Sequence, residues 1–185
     1  KPEFRFKEAR TSGKFIKDTM NLVIGYDKPL SVPLNLSMER GQKIAVIGTN
    51  GIGKTTLLRD IVRNISNGIK VLGFRGKTVG VVDERGEIAA MYKGIPQNDV
   101  GIRTDIIENV SKNKGIHMLI RTMAPEIIAC DEIGSKEDVE AIHYALYSGV
   151  KGIFTMHGKN VEDIKNNKQI YELIENREIQ KIIFL

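Results

Sequence analysis

The sequence is poor in cysteine, tryptophan and long apolar runs, and each shortage excludes a class of protein. Its 185 residues contain one cysteine, Cys130, and no tryptophan, so neither a disulfide framework nor a cysteine-based zinc site is available, and a reducing, cytoplasmic setting fits. Since no apolar run approaches the ~18 residues of a transmembrane helix, we expect no direct insertion into a membrane. The start, Lys1 to Arg5, has no initiator methionine and no signal-peptide core. We interpret the chain as a fragment of a longer protein.

Charge is balanced rather than one-sided. The chain carries 28 basic and 23 acidic residues, for a formal net charge of +5, and the basic residues are scattered among the acidic ones. A solvated surface explains such scatter better than a nucleic-acid groove does, and no aromatic cluster offers a platform for base stacking. We therefore expect no nucleic-acid partner. The length and the 41% hydrophobic content indicate a single globular domain over residues 1–185.

The first 42 residues show short extended segments separated by turns. Met20–Ile24 is extended and Leu30–Leu36 alternates apolar with polar residues, as does the short Phe4–Phe6 segment. Turn-forming residues occupy Gly25–Pro29 and Glu39–Gln42. This pattern predicts an antiparallel β lobe over residues 1–42.

From residue 43 the pattern changes to that of an α/β core, over residues 43–185. Short apolar runs without alternation predict strands that are buried on both faces, as in a parallel sheet: Ile44–Ile47, Val79–Val82, Ile127–Cys130, Gly152–Met156 and Ile182–Phe184. Between them, helical spacing of apolar residues predicts helices at Thr56–Ile65, Glu137–Tyr147 and Val161–Ile174. Alternating strands and helices predict a three-layer α/β fold with a mainly parallel sheet.

The segment Gly48–Thr55, GTNGIGKT, matches the phosphate-loop pattern in full. It follows an apolar strand and precedes an amphipathic helix, which is the context that the motif requires. Its backbone amides and the positive end of the following helix suit an anion, while Lys54 would reach the β- and γ-phosphates and Thr55 would coordinate Mg²⁺. The sequence therefore predicts a P-loop NTPase fold that binds a nucleoside triphosphate, through Thr49, Asn50, Gly51, Ile52, Gly53, Lys54, Thr55 and Thr56.

Carboxylates and a histidine follow later predicted strands. We assign Asp131 to the metal shell, through water, and Glu132 to polarising the attacking water; the alternative is a solvated pair at a strand end. His157 follows the next strand, and we interpret it as a sensor of the terminal phosphate, with a surface or turn histidine as the alternative. Together with Lys54, these residues are the catalytic candidates.

The segment from Phe4 to about Gly53 resembles the start of an ATP-binding cassette domain of the F subfamily. In that family an antiparallel β lobe precedes the phosphate loop, and an upstream aromatic residue stacks on adenine. Tyr26, in the sequence GYDKPL, matches that position, so the resemblance implies a stacking role for it. A tyrosine that merely occupies a hairpin turn is the alternative.

From about Lys54 to Leu185 the sequence instead resembles the ATPase domain of the stage III sporulation protein AA family, which is related to secretion ATPases. The segments TVGVVDERGEIAA, YKGIPQNDVGIRTD, MLIRTMAPEIIACDEIG and GVKGIFTMHG carry this resemblance. It implies an acidic box at Asp83–Glu87, an arginine-plus-Pro-acid segment from Arg121 to Glu126, and a histidine box that ends at His157.

Two resemblances that meet at the phosphate loop predict a chimera of two P-loop ATPases, engineered in our interpretation, with natural recombination as the alternative. Neither a cassette signature sequence nor a helical subdomain that could hold it is found. We expect the chain to bind ATP or ADP with Mg²⁺ and to hydrolyse ATP weakly or not at all, because a cation for the γ-phosphoryl group normally comes from a neighbour. Arg85, Arg103 and Arg121 are candidates for that cation, and each can equally be an ordinary salt-bridge arginine.

Two other hypotheses remain open. The chain can be a working, self-associating ATPase of the sporulation or secretion type that powers export at a membrane complex. Alternatively it can be a ribosome-binding translation factor of the cassette type, although such proteins need two cassettes and a linker, which do not fit in 185 residues.

Overall fold

Two strands near the amino terminus pair antiparallel. The structure, a computed structural model, describes residues 15–24, 28, 33–39 and 41–185. Strand β1 (Phe15–Leu22) pairs with β2 (Leu34–Glu39), with irregularities in register along the ladder. The antiparallel prediction is confirmed, although both strands are offset from the segments predicted. Phe4–Phe6 and Tyr26 lie outside the described residues.

The remaining elements alternate between strands and helices. In chain order they are β3 (Ile44–Gly48), α1 (Lys54–Asn67), β4 (Gly68–Ile69), a 3-10 turn (Lys70–Leu72), β5 (Phe74–Arg75), β6 (Val79–Asp83), β7 (Met91–Tyr92), β8 (Ile95–Pro96), β9 (Thr104–Glu108), α2 (Lys112–Thr122), β10 (Ile127–Ile133), α3 (Lys136–Tyr147), β11 (Lys151–His157), α4 (Val161–Asn166), α5 (Lys168–Glu175) and β12 (Lys181–Phe184).

Six of these strands form one parallel sheet in the order β12-β3-β11-β10-β6-β9. Every residue of β3 and of β6 is buried, as expected for strands that are covered on both faces. Because all six strands run in the same direction, their carboxyl ends meet at one edge of the sheet, where ligands bind in such folds.

Helices cover the two faces of this sheet. On one face α1 buries Leu57, Leu58 and Ile61 in a cluster that also includes Met38 of β2. The other face packs against α2, α3 and α5, with Phe154 of β11 fully buried among them. This confirms the three-layer α/β prediction.

The predicted helix over Val161–Ile174 is two helices. Asn167 separates α4 from α5, and its side chain accepts a hydrogen bond from the Ile170 amide at the start of α5. Strand β9 and helix α2 were not predicted. In the part of the chain that the structure describes, no helix combines the length and the apolar character that a membrane crossing requires.

Candidate functional site: a phosphate loop facing two carboxylates

The segment between β3 and α1 forms a tight loop at the carboxyl edge of the sheet. Gly51 and Gly53 have φ angles of 80° and 92°, a region that a side chain makes unfavourable. Gly53 is the N-cap residue of α1, so the first turn of the helix presents its unpaired amides to the cleft in front of the loop. An anion is favoured at such a helix start.

Lys54 lies within this loop instead of projecting into solvent. Its Nζ donates to the carbonyl oxygens of Gly48 at 2.7 Å and Thr49 at 2.8 Å, and the residue is 6% exposed. Burial lowers the pKa of Lys54, and the charge of Glu132 acts in the opposite direction. The ammonium group therefore has two neutral carbonyl partners, and a phosphate bound in the loop would be a negatively charged partner for it.

The loop opens onto a cleft of about 420 Å³. Its lining comprises six of the predicted binding residues together with Glu132 and two residues of the acidic segment: Asn50, Gly51, Gly53, Lys54, Thr55, Thr56, Glu132, Arg85 and Glu87. Thr49 contributes a carbonyl to Lys54 instead. The Ile52 side chain packs against Gly48, where an added Cβ would meet its Cδ1 at 2.2 Å, so it supports the loop from outside the cleft.

Asp131 is a buried carboxylate without a hydrogen-bond partner among the described residues. It is 1% exposed, and neither Oδ1 nor Oδ2 is bonded. Burial raises the pKa of Asp131 to about 6, with the carboxylates of Asp83, Glu87 and Glu132 adding to the rise and Lys112 opposing it. A buried carboxylate that lacks a donor among the described residues and has acidic neighbours offers the kind of oxygen ligand that Mg²⁺ prefers.

Glu132 is directed into the cleft by an irregularity in β10. The register between β10 and β11 shifts between Cys130 and Ile133, and Glu132 has a φ of 42°. Its backbone amide donates to Thr155 Oγ1 at 2.8 Å, which fixes the main chain. The carboxylate forms an ion pair with Arg85. Such bulges re-aim side chains next to active sites.

His157 reaches the phosphate loop but does not line the cleft. It is paired with Gly48 in the β11–β3 register, and its Nδ1 lies 3.3 Å from Asn50 Oδ1. Any influence of His157 on a bound phosphate would therefore pass through Asn50.

The residues of the acidic segment after β6 have two different roles, which the sequence did not predict: Asp83 fixes the loop, whereas Arg85 and Glu87 line the cleft. Asp83 is fully buried, and its carboxylate accepts hydrogen bonds from the amides of Ile88 at 3.1 Å and Ala89 at 2.8 Å. It therefore fixes the loop that carries Arg85 and Glu87 to the cleft. The sequence signal for Glu87 was present, since it belongs to the acidic box, but nothing in the spacing separated its role from that of Asp83.

Of the three arginines considered for the γ-phosphoryl group, the cleft includes Arg85. Arg103 donates to the Ser66 carbonyl at 2.9 Å near the end of α1, and Arg121 is exposed in the last turn of α2. Arg103 therefore supports the end of α1, Arg121 faces solvent, and neither residue lines the cleft.

Comparison with known proteins relates the chain to two groups. The sequence profile described as "Sporulation stage III, protein AA" matches residues 21–185. Stage III sporulation protein AA of Bacillus subtilis is 41% identical over 140 residues, which cover 76% of this chain and 45% of that protein. An uncharacterised ABC transporter ATP-binding protein of the same organism, YfmM, is 71% identical over 65 residues, which cover 35% of this chain and 12% of that protein.

The fold has a solved counterpart. The X-ray structure of the Legionella pneumophila ATPase DotB superposes with a TM-score of 0.50 at 17% identity, over 72% of this chain and 37% of that one. At this identity the likeness concerns the fold alone. The chain spans less than half the length of each of these relatives.

Proposed function

The chain belongs to the sporulation stage III protein AA family, and from that membership together with the cleft we propose that it is an ATP-binding module of the P-loop NTPase class. One observation carries the proposal: a buried lysine in a glycine-bent loop shares a cleft with Glu132, and the residue before Glu132, Asp131, is a buried carboxylate without a hydrogen-bond partner among the described residues. A polyphosphate with a divalent cation supplies what each of these groups lacks. The nucleotide is ATP or ADP, bound with Mg²⁺.

Each residue has a distinct role in this proposal. The loop amides and the first turn of α1 bind the phosphates, and Lys54 exchanges its two carbonyl partners for phosphate oxygens. Thr55 and Asp131 would hold Mg²⁺, which neutralises phosphate charge and orients the phosphates when bound. Glu132 would polarise a water, and His157 would respond to the terminal phosphate through Asn50.

Two further assignments extend the site beyond the cleft. Tyr26, outside the described residues, would stack on adenine, as its resemblance to the cassette family implies. Residues 43–185 would form the nucleotide-binding core of a single domain, with residues 1–42 as its β lobe.

We expect hydrolysis to be weak or absent. A cation on the transferring phosphoryl group contributes about 10³–10⁵ in rate where an arginine finger supplies it. Arg85, the arginine that lines the described cleft, is paired with Glu132 in this structure, so alone it is a weak source of that cation. We expect a full rate to require a second cation from another chain or another domain.

The chimeric origin is also a proposal. The 65-residue and 140-residue matches exceed the chain when placed end to end, so the two related segments share some residues. A junction within a strand, loop and helix that both families possess would preserve local geometry. This supports a splice near the phosphate loop.

A second function is favoured by the composition of the cleft, whose lining includes one arginine, Arg85, among the described residues. In that function the chain is a self-associating ATPase of the sporulation or secretion type, powering export at a membrane complex, and a neighbouring copy completes the site. It predicts oligomers on size-exclusion chromatography with nucleotide, and turnover that disappears in Glu132→Gln. A monomer at high concentration with nucleotide would contradict it.

The primary test is a thermal shift with ATP, ADP and GTP. A ligand at 100 times its Kd stabilises the native state by about 2.7 kcal/mol, which for this size corresponds to roughly 5–10 °C. We expect this shift in the parent and in Lys136→Ala, an exposed control on α3, and no shift in Lys54→Ala. Equal nucleotide affinity in Lys54→Ala and the parent would refute the assignment.

A further inference from the structure

Arg85 and Glu132 meet across the proposed nucleotide site. Arg85 comes from the loop after β6 and Glu132 from the irregular end of β10, and their ion pair forms at the wall of the cleft that also contains Lys54. Their side chains are 56% and 27% exposed. The pair therefore forms at the solvent-facing side of the cleft, where a bound nucleotide would compete for both groups.

The main chain beneath this pair is fixed while the Arg85 side chain is not. The Asp83 carboxylate accepts hydrogen bonds from two backbone amides at the far end of the loop. Arg59 donates to the carbonyl oxygens of Ile88 and Glu87, at 2.7 Å each. Arg85 itself lies in a turn closed by the Gly86 amide and the Asp83 carbonyl at 3.4 Å. The guanidinium can thus change partner by rotation of its own side chain, without movement of the loop.

A terminal phosphate is a better partner for this guanidinium than the carboxylate is. An exposed ion pair is weak because water screens both charges, whereas a phosphate offers greater negative charge and accepts two parallel hydrogen bonds from one guanidinium. A diphosphate lacks the terminal group that would compete. The exchange is therefore specific for a triphosphate.

We propose that Arg85 is a positioning residue that keeps the Glu132 carboxylate paired, within the cleft, until the terminal phosphate of a bound nucleotide draws the guanidinium off it. This inference rests on the proposed nucleotide site. In the protein without nucleotide, Glu132 is paired and does not polarise water. Once Arg85 turns to the phosphate, the carboxylate is released at the position where the attacking water would lie.

The test is a double-mutant cycle on nucleotide affinity, which requires no turnover. The Kd of a non-hydrolysable ATP analogue and the Kd of ADP, each with Mg²⁺, are measured for the parent, Glu132→Gln, Arg85→Ala and the double variant. Because the ion pair must break before Arg85 binds phosphate, Glu132→Gln tightens analogue binding by about fivefold when Arg85 is present, as expected for an exposed pair. In the Arg85→Ala background the same change alters affinity less than twofold, and ADP shows no such dependence.

Controls separate this coupling from general charge effects. Lys136→Ala and Glu140→Gln remove an exposed ion pair on α3 with a separation of 3.6 Å, and both should bind the analogue as the parent does. Arg85→Gln is carried in parallel, so that the cycle can be completed if Arg85→Ala does not fold. Equal tightening by Glu132→Gln in both backgrounds overturns the proposed exchange of Arg85 from Glu132 to the phosphate, while leaving the nucleotide site intact. No binding of either nucleotide by the parent overturns both the proposed function and the proposed exchange of Arg85.

Discussion

Replacing Asp131 by asparagine should stabilise the protein at neutral pH, because the native carboxylate is charged at a cost. Asp131 is 1% exposed and has no hydrogen-bond partner among the described residues, and burial is the foremost reason that its pKa is raised to about 6. The folded protein therefore binds a proton at this site more tightly than the unfolded chain does. Asparagine has nearly the same shape and does not ionise.

The magnitude follows from the difference between the two pKa values. From the ordinary 3.8 to about 6, at about 1.4 kcal/mol per pKa unit, the charged carboxylate destabilises the fold by about 3 kcal/mol. This destabilisation is fully present above pH 6 and disappears as the pH falls toward 4, since the folded protein then takes up the proton. We expect the free energy of unfolding of Asp131→Asn to exceed that of the parent by about 3 kcal/mol at pH 7.5. At pH 4 the two free energies of unfolding should be about equal.

The assay is urea denaturation at several pH values between 4 and 8, with chelator present to exclude divalent cations. Asp83→Asn is the matched control, because Asp83 is also buried but accepts two backbone amides. That variant should lose about 2 kcal/mol at pH 7.5, since hydrogen bonds to a charged group are worth about 1.5–3 kcal/mol. A difference between Asp131→Asn and the parent that does not change with pH would refute the reasoning.

Three other predictions concern packing, capping and a buried charge, and each is checked by urea denaturation at pH 7.5. Gly115→Ala should destabilise by about 1–3 kcal/mol in spite of its better helix propensity, because a Cβ there would lie 2.5 Å from a Val82 methyl group; equal or greater stability would show that α2 shifts freely. Ser135→Ala should cost about 1 kcal/mol, because it removes the capping box of α3; an unchanged midpoint would mean that the box contributes nothing. Lys112→Met should cost about 2 kcal/mol, the worth of a hydrogen bond to a charged group, because its Nζ lies 2.5 Å from Glu84 and its charge opposes the rise in the pKa of Asp131; a stabilised variant would show that desolvation of Lys112 outweighs its pairing.

The strands that could be predicted are those buried on both faces, because such strands appear in the sequence as unbroken apolar runs. β3, β6, β10, β11 and β12 coincide with the five predicted runs. β9 was missed because it forms an edge of the sheet, where Thr104–Glu108 keeps polar residues and is only partly buried. α2 was missed because Gly115 lies in its interior, where glycine disfavours a helix; the structure shows that this glycine permits close packing on Val82.

The phosphate-loop residues could be assigned from the sequence because the loop is a local motif. The ion pair between Arg85 and Glu132 could not be predicted. Gly48–Thr55 are contiguous, so their shared location follows from the chain itself. The contact between Arg85 and Glu132 depends instead on β6 and β10 being neighbours in the sheet and on the irregular register after Cys130. Neither feature has a signature in a single sequence.

The arrangement of charge in this cleft explains why stability and binding should oppose each other. Lys54 is buried on neutral carbonyls, and Asp131 is buried without a hydrogen-bond donor in the part of the chain that the structure describes, so each group is costly in the protein alone. A polyphosphate with a divalent cation would provide the anion that Lys54 lacks and the cation that Asp131 lacks. Relief of these two unfavourable burials would then contribute to the binding free energy. Neutral replacements at either position should therefore give a protein that is at least as stable at pH 7.5 and binds nucleotide less tightly.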